Sequence, residues 1–284
     1  MSVLLPTSID ETVSALAESG AQVLAGGTDF MVEVNAGLRR PESVVSLGQV
    51  QELRQWTQLA GEVRLGATVT YTQMLEPELA GQLPALAQAA RTVGSPQIRN
   101  AGTIGGNLGT ASPAGDTLPV LVALDAVVEV AGPGGHRTVT ARDFLVGPKR
   151  NALAPGELVV AVRVPLLRGP QEFRKVGVRN AMVISVASVA FAVDGSGRTV
   201  RCALGSVGPV VLRATDAEAW LAERVDWDHL TVADARHLAT FGAMVAEASR
   251  PIDDHRSTSA YRRHAVAVLA ERVAAKAFLT RAAA

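Results

Sequence analysis

The chain has 284 residues, and its 27 lysine and arginine residues balance 27 aspartate and glutamate residues, so that the formal net charge is zero. Without a net positive charge there is no long-range attraction for nucleic acid or an anionic membrane, and we expect neither as a partner. Apolar residues make up 48% of the chain, which favours a well-buried core, yet no run approaches the roughly 18 apolar residues that a membrane span needs. The first residues lack a basic signal-type segment, so we expect a cytoplasmic protein.

The first predicted element is a helix that begins after Ser8. Ser8 as N-cap and Glu11 three residues later form a capping-box pattern. A strand at residues 23–25 then runs into the Gly-Gly-Thr-Asp motif at residues 26–29 and a helical turn at residues 30–34. A glycine motif between a strand and a helix presents N–H groups that hold phosphates. From these residues alone, an ordinary strand-to-helix turn is an equally good interpretation.

The second glycine-rich stretch, residues 92–116, is the segment around which we expect the chain to be organised. A helix predicted at residues 84–92 leads into it. Its repeated glycines, together with Pro96 and Pro113, interrupt any helical or strand period, so we predict a long structureless loop with a ligand-binding role. Glycines let successive N–H groups turn toward one anion, which indicates a phosphate or diphosphate cradle. Neither the Rossmann nor the P-loop glycine pattern occurs, so these two nucleotide sites lose their main support.

The rest of the chain predicts further strands and helices, and together they give an α+β protein. Four strand-like segments follow one another after residue 158, which favours an antiparallel sheet, and helical spacing dominates the C-terminal part. The predicted strands lie at residues 44–47, 63–67, 127–130, 158–164, 173–178, 185–193 and 200–206, and the helices at residues 118–124, 232–246 and 261–282.

The cysteine and histidine content argues against a metal site. Cys202 is the only cysteine, which excludes an internal disulfide and an iron–sulfur cluster ligated by this chain alone. The five histidines show neither His-x-x-x-His nor Glu-x-x-His spacing, so we expect no metal ligands among them. If metal clusters deliver electrons to this protein, other chains must hold them.

Taken together, the two glycine motifs and their surroundings resemble the FAD-binding subunit of the xanthine dehydrogenase and carbon monoxide dehydrogenase family of molybdenum hydroxylases. The similarity runs through residues 25–29, 98–100, 103–107, 112–116, 173–176 and 261–263. It implies a vanillyl-alcohol-oxidase-like (PCMH-type) FAD-binding fold. Two α+β subdomains, at residues 1–58 and 59–167, would hold FAD, and a C-terminal α+β subdomain at residues 168–284, with an antiparallel sheet and helices, would cover it.

The resemblance also implies which residues bind the cofactor. Asp116 corresponds to an aspartate near the ribityl chain, Lys175 to a basic residue close to the cofactor, and Val93 and Val159 to positions that line the flavin or adenine. From the residues alone, the alternative for Asp116 is a cap of the helix that follows it. Lys175 is equally well interpreted as a solvated side chain, and the two valines as core residues. The implied set is Val23, Leu24, Ala25, Gly26, Gly27, Thr28, Asp29, Phe30, Val93, Thr103, Ile104, Gly105, Gly106, Asn107, Asp116, Val159 and Lys175.

The implied function is electron transfer through noncovalent FAD to NAD⁺ or another acceptor. The substrate would be hydroxylated at a molybdenum cofactor on a large molybdopterin-binding subunit, and a small 2Fe–2S subunit would carry the electrons. The cofactor supplies the redox chemistry, so no catalytic side chain is expected. Residues 94–97 and 111–116 favour a xanthine dehydrogenase type over carbon monoxide dehydrogenase.

Two alternatives from other classes stay open. The first is a self-contained flavin oxidase of the vanillyl-alcohol type, often with a covalent histidine or cysteine link to the flavin. Neither glycine motif contains histidine or cysteine, which counts against such a link. The second alternative is a nucleotide-binding or assembly subunit without enzymatic activity.

Overall fold

The computed structural model describes residues 2–180 and 182–279, and it confirms a mixed α+β fold. The helices of this part of the chain are α1 Ile9–Ser19, α2 Phe30–Asn35, α3 Pro77–Gln82, α4 Pro84–Thr92, α5 Pro96–Ala101, α6 Ile104–Thr110, α7 Thr117–Ala123, α8 Ala141–Phe144, α9 Thr215–Ala222, α10 Arg236–Ala248 and α11 Ser259–Phe278. The strands are β1 Ser2–Leu4, β2 Gln22–Leu24, β3 Ser43–Ser46, β4 Trp56–Leu59, β5 Glu62–Gly66, β6 Val127–Gly132, β7 Gly135–Thr140, β8 Leu145–Gly147, β9 Arg150–Asn151, β10 Leu158–Pro165, β11 Gln171–Val176, β12 Ala187–Asp194, β13 Thr199–Gly205, β14 Leu212–Arg213, β15 Val225–Asp226 and β16 Thr231–Val232.

The chain forms two compact units, and each is assembled from three separate stretches. The first unit contains the described residues of Met1–Glu76, Gly94–Ser112 and Asp125–Pro165. The second contains those of Pro77–Val93, Pro113–Leu124 and Leu166–Ala284.

The first unit holds a parallel sheet in the order β1-β3-β2 and an antiparallel sheet in the order β4-β5-β10-β6-β7. Burial explains β3 and β10, since Val44 and Val45 of β3 are fully buried and β10 is almost continuously apolar. Helix α1 begins as predicted, because the Ser8 hydroxyl accepts the Glu11 N–H at 3.1 Å.

The predicted structureless loop at residues 92–116 is wrong, because α5 and α6 lie within it. Ser95 caps α5 by accepting the Ile98 N–H, and Pro96 occupies the first helical position, where no N–H is required. Thr103 caps α6 by accepting the Gly106 N–H at 3.0 Å. Two consecutive capped helices therefore replace the loop.

The second unit contains an antiparallel sheet in the order β11-β12-β13-β14. The first of the four successive strands predicted for one sheet, β10, instead pairs with β5 and β6 in the first unit. The core of the second unit lies between its sheet and helices α10 and α11, where Phe191 meets Phe241 and Phe278 edge to face at 5.8 and 6.0 Å between ring centroids. Helix α11 confirms the predicted C-terminal helix as far as Phe278, while residues 280–282 of that prediction lie outside the described residues.

No helix in the described ranges is both long enough and apolar enough to cross a membrane.

Candidate functional site

The two glycine motifs lie together on one open cleft of about 280 Å³ within the first unit. Twelve of the residues singled out from the sequence line it. They are Val23, Ala25, Gly26, Gly27, Thr28, Asp29 and Phe30 around the first motif, Thr103, Gly105, Gly106 and Asn107 from the second, and Val159. Leu24 and Ile104 are not among the lining residues, and Ile104 is fully buried in the core. Gly27 and Gly105, which are 78 positions apart in the sequence, therefore line the same cleft.

The first motif presents consecutive unpaired N–H groups to the cleft. Within the described part of the chain, the backbone N–H groups of Gly27, Thr28 and Asp29 donate no hydrogen bond. Gly27 has φ +74°, a left-handed conformation that glycine adopts without strain. Successive N–H groups next to such a residue can turn toward one anion.

Gly26 is required by close packing. A Cβ atom at this position would lie 1.7 Å from the carbonyl oxygen of Ala101, at the end of α5. A contact this short with backbone cannot be relieved by moving a side chain. The first motif is therefore seated directly against the segment that leads into the second.

The N–H groups of the second motif are already used inside the protein. Ile104 N–H donates to Val69 O at 3.0 Å and Gly105 N–H to Ala67 O at 2.8 Å. Gly106 N–H donates to the Thr103 hydroxyl. The donor array expected from this motif is therefore absent at these three positions, and the motif contributes close packing and side chains such as Asn107 instead. A Cβ on Gly105 would lie 2.6 Å from Ala67 O, which explains this glycine.

Charged residues that the sequence did not single out stand beside the cleft. The Glu33 carboxylate on α2 forms salt bridges with Arg39 at 2.8 Å and with Lys149, in the β8–β9 turn, at 2.9 Å. All three residues line the cleft. The hydrogen bond from Lys149 lowers the pKa of Glu33, and the charge of Arg39 adds to this effect. Arg39 also stacks over the Phe30 ring, 4.9 Å from its centroid. No sequence motif identifies Lys149 as a cleft residue, because the β8–β9 turn is what brings it to the cleft.

The cleft also has an apolar part, and an irregular strand contributes to it. Leu158 and Val159 of β10 line the cleft together with Leu47. The pairing of β10 with β6 shifts register between Val159 and Ala161. A bulge of this kind re-aims side chains next to binding sites.

The remaining predicted residues lie in the second unit. Val93 follows the last residue of α4, and Asp116 precedes α7. The Asp116 side chain makes no capping hydrogen bond to α7, so the helix-cap interpretation is wrong. The Lys175 side chain is only 9% exposed and pairs with Asp116 at 2.5 Å, so it is not a solvated side chain.

Comparison with known proteins places this arrangement in a family. The family model described as "FAD binding domain in molybdopterin dehydrogenase" matches residues 1–167, and the one described as "CO dehydrogenase flavoprotein C-terminal domain" matches residues 172–277. The chain belongs to the FAD-binding medium subunits of the molybdenum hydroxylases. As such a medium subunit, it is the flavin subunit of an oxidoreductase.

Its relatives are named for different substrates. The glyceraldehyde dehydrogenase medium chain of Sulfolobus acidocaldarius is 32% identical over 250 residues, covering 87% of this chain and 86% of the relative. The xanthine dehydrogenase FAD-binding subunit of Escherichia coli O157:H7 is 32% identical over 224 residues, covering 74% of this chain and 75% of the relative. The solved structure of quinoline 2-oxidoreductase from Pseudomonas putida 86 matches with a TM-score of 0.89 at 28% identity, covering 98% of this chain and 96% of that one.

Proposed function

We propose that this medium subunit binds FAD noncovalently, with the diphosphate against the first glycine motif, and transfers electrons from partner iron–sulfur clusters to NAD⁺ or another acceptor. The observation that carries the proposal is the row of unpaired N–H groups at Gly27, Thr28 and Asp29 on the cleft. A diphosphate offers acceptors to such a row. Bound flavin accepts electrons singly and passes them on as a hydride.

The rest of the cleft supports a dinucleotide. The apolar wall of Leu47, Leu158 and Val159 suits a planar base, and Arg39 and Lys149 place positive charge beside the phosphates. Ligand pockets are roughly 300–1,000 Å³, so a cleft of about 280 Å³ holds part of a dinucleotide. On the resemblance described above, we also propose Val93, Asp116 and Lys175 as cofactor contacts.

Within the family, we propose a xanthine dehydrogenase type in a cytoplasmic heterotrimer. A large molybdopterin-binding subunit would carry the molybdenum cofactor, and a small subunit the 2Fe–2S clusters. We include in this proposal that the FAD-binding part has the PCMH-type division into two subdomains. We also include NAD⁺ as the electron acceptor. Residues 94–97 and 111–116 support the xanthine type. Relatives named for glyceraldehyde and for xanthine are equally similar in identity, at 32%, so the substrate must be decided by assay.

A binding experiment tests the assignment. The purified chain, or its apo form after addition of FAD, should be yellow, and denaturation should release all of the flavin. ADP should compete with FAD because both present a diphosphate to the first motif, whereas riboflavin, which has no phosphate, should not. Under anaerobic conditions, NADH should reduce the bound flavin and remove its yellow absorbance. A colourless chain that takes up no FAD would refute the proposal, and flavin that stays attached after denaturation would support the self-contained oxidase.

A further inference from the structure

The first unit contains a second cleft beside the one that the glycine motifs line. It measures about 400 Å³, and Arg54, Thr70, Gln73 and Asn100 are among the residues that line it. Ligand pockets are roughly 300–1,000 Å³. The second cleft therefore has room for a small molecule.

Arg54 is the only charged residue among the described residues that line the second cleft. Arg54 is exposed, and within residues 2–180 and 182–279 its guanidinium makes neither a hydrogen bond nor an ion pair. Arg39 in the cleft of the glycine motifs differs, because Glu33 already pairs with it at 2.8 Å. Since no described residue of the second cleft carries a carboxylate, its wall is positively charged and suits an anion.

The backbone that carries Arg54 is fixed on both sides. Leu53 O accepts the Thr68 N–H at 2.9 Å. Gln55 O accepts the Gly66 N–H, also at 2.9 Å. The guanidinium therefore extends from an anchored segment, and a ligand that it binds does not have to order this part of the backbone.

Asn100 supplies further donors to the second cleft. Its Oδ1 accepts the Thr72 hydroxyl at 2.6 Å, which orients the amide group. Within the described part of the chain, its Nδ2 donates no hydrogen bond. A side-chain amide nitrogen carries two hydrogens, so two side chains of the second cleft have donors available for a ligand.

We propose that the second cleft binds a small hydroxylated organic anion, whose phosphate or carboxylate group pairs with Arg54 and Asn100. The planar guanidinium offers parallel N–H donors that match the oxygens of either group. Hydroxyl groups on the rest of the ligand suit a wall to which Thr70 and Gln73 contribute polar side chains. The site is distinct from the cleft of the glycine motifs, although Gly26 lines both.

Calorimetric titration of the full chain with ribose 5-phosphate, gluconate and uncharged ribose tests the proposal. At least one of the two anions should bind, and ribose should bind at least roughly tenfold more weakly, since it lacks the group that pairs with a charged donor. The ratio of the two anion affinities identifies the preferred group. Saturating FAD should leave the affinity for the anion within about twofold, because a phosphate held by the first glycine motif would instead be displaced.

Variants of Arg54 locate the anion. Arg54→Gln removes the charge and should weaken binding roughly tenfold, and Arg54→Lys, which keeps the charge without the planar fork, should give an intermediate loss. Arg142→Gln is the matched control and should leave the affinity unchanged, because Arg142 is also an exposed arginine of the first unit and is not among the residues that line either cleft. The proposal is wrong if neither anion binds, if Arg54→Gln weakens binding no more than Arg142→Gln, or if FAD displaces the anion.

Discussion

At the scale of single residues, the side-chain partners of Asp116 could not be predicted from the sequence. Its position just before a predicted helix left a helix cap open as the alternative to a cofactor contact. The structure removes the first option, because the carboxylate is directed to Lys175 and Ser185, 59 and 69 residues further along the chain. A pairing at such separations depends on how the second unit folds, so no local pattern reveals it.

Cys202 allows a prediction at the same scale. The thiol is buried in β13, and burial raises its pKa well above the usual value, with the Glu218 carboxylate adding to the effect. Because the thiolate is the reactive form, the native chain should react with iodoacetamide at pH 8 at least roughly a hundredfold more slowly than the chain in urea, since reaction requires local opening. Mass spectrometry of timed samples measures both rates. Equal rates would show that the thiol is accessible.

At the scale of elements, the sequence predicted which segments are regular better than which segments meet. The helix at residues 84–92 and the strand at residues 158–164 lie where they were expected, as α4 and β10. Strand β10 pairs with β5, about 100 residues earlier, rather than with its successors in the chain. Alternation and composition identify a strand, but they do not name its neighbour.

Helices α5 and α6 were missed for a physical reason. Both are short, at six and seven residues, and α6 contains Gly105, Gly106 and Gly109. Glycine in a helix costs about 0.5–1 kcal/mol relative to alanine. Tertiary packing offsets this cost, since Gly105 lies against the backbone of Ala67, where a side chain would not fit. Propensity therefore predicted a loop that packing overrides.

Two glycine variants of the cleft should shift stability in opposite directions. Gly26→Ala would place a Cβ 1.7 Å from Ala101 O, and overpacking of this kind costs about 1–3 kcal/mol or more. Gly109→Ala in α6 meets nothing within 4 Å, so it should stabilise the chain by about 0.5–1 kcal/mol through helix propensity. Urea unfolding of the two apo-proteins measures the difference. A Gly26→Ala protein as stable as the parent would contradict the packing at Ala101.

At the scale of the whole molecule, the two family models divide the chain between residues 167 and 172, where the first model ends and the second begins. The compact units are assembled differently, because Pro77–Val93 and Pro113–Leu124 belong with the C-terminal stretch. Because the chain passes repeatedly from one unit to the other, no change in amino-acid composition along the sequence indicates where a unit begins or ends. The division at residues 58 and 59 stays a prediction.

The last prediction is that this medium subunit does not perform the complete reaction alone. A 2Fe–2S cluster takes four ligands, usually cysteines, and Cys202 is the only cysteine in the chain. Under the proposed function, the clusters that reduce the flavin must therefore belong to a partner. The FAD-loaded chain should reduce a dye with NADH but should not oxidise xanthine, carbon monoxide or an aldehyde. Adding the large and small subunits should restore turnover with one of these substrates, and the dye assay on the same preparation shows that the flavin is competent. Oxidation of any of them by the single chain at the rate of the full complex would replace the subunit assignment with that of a self-contained flavin oxidase.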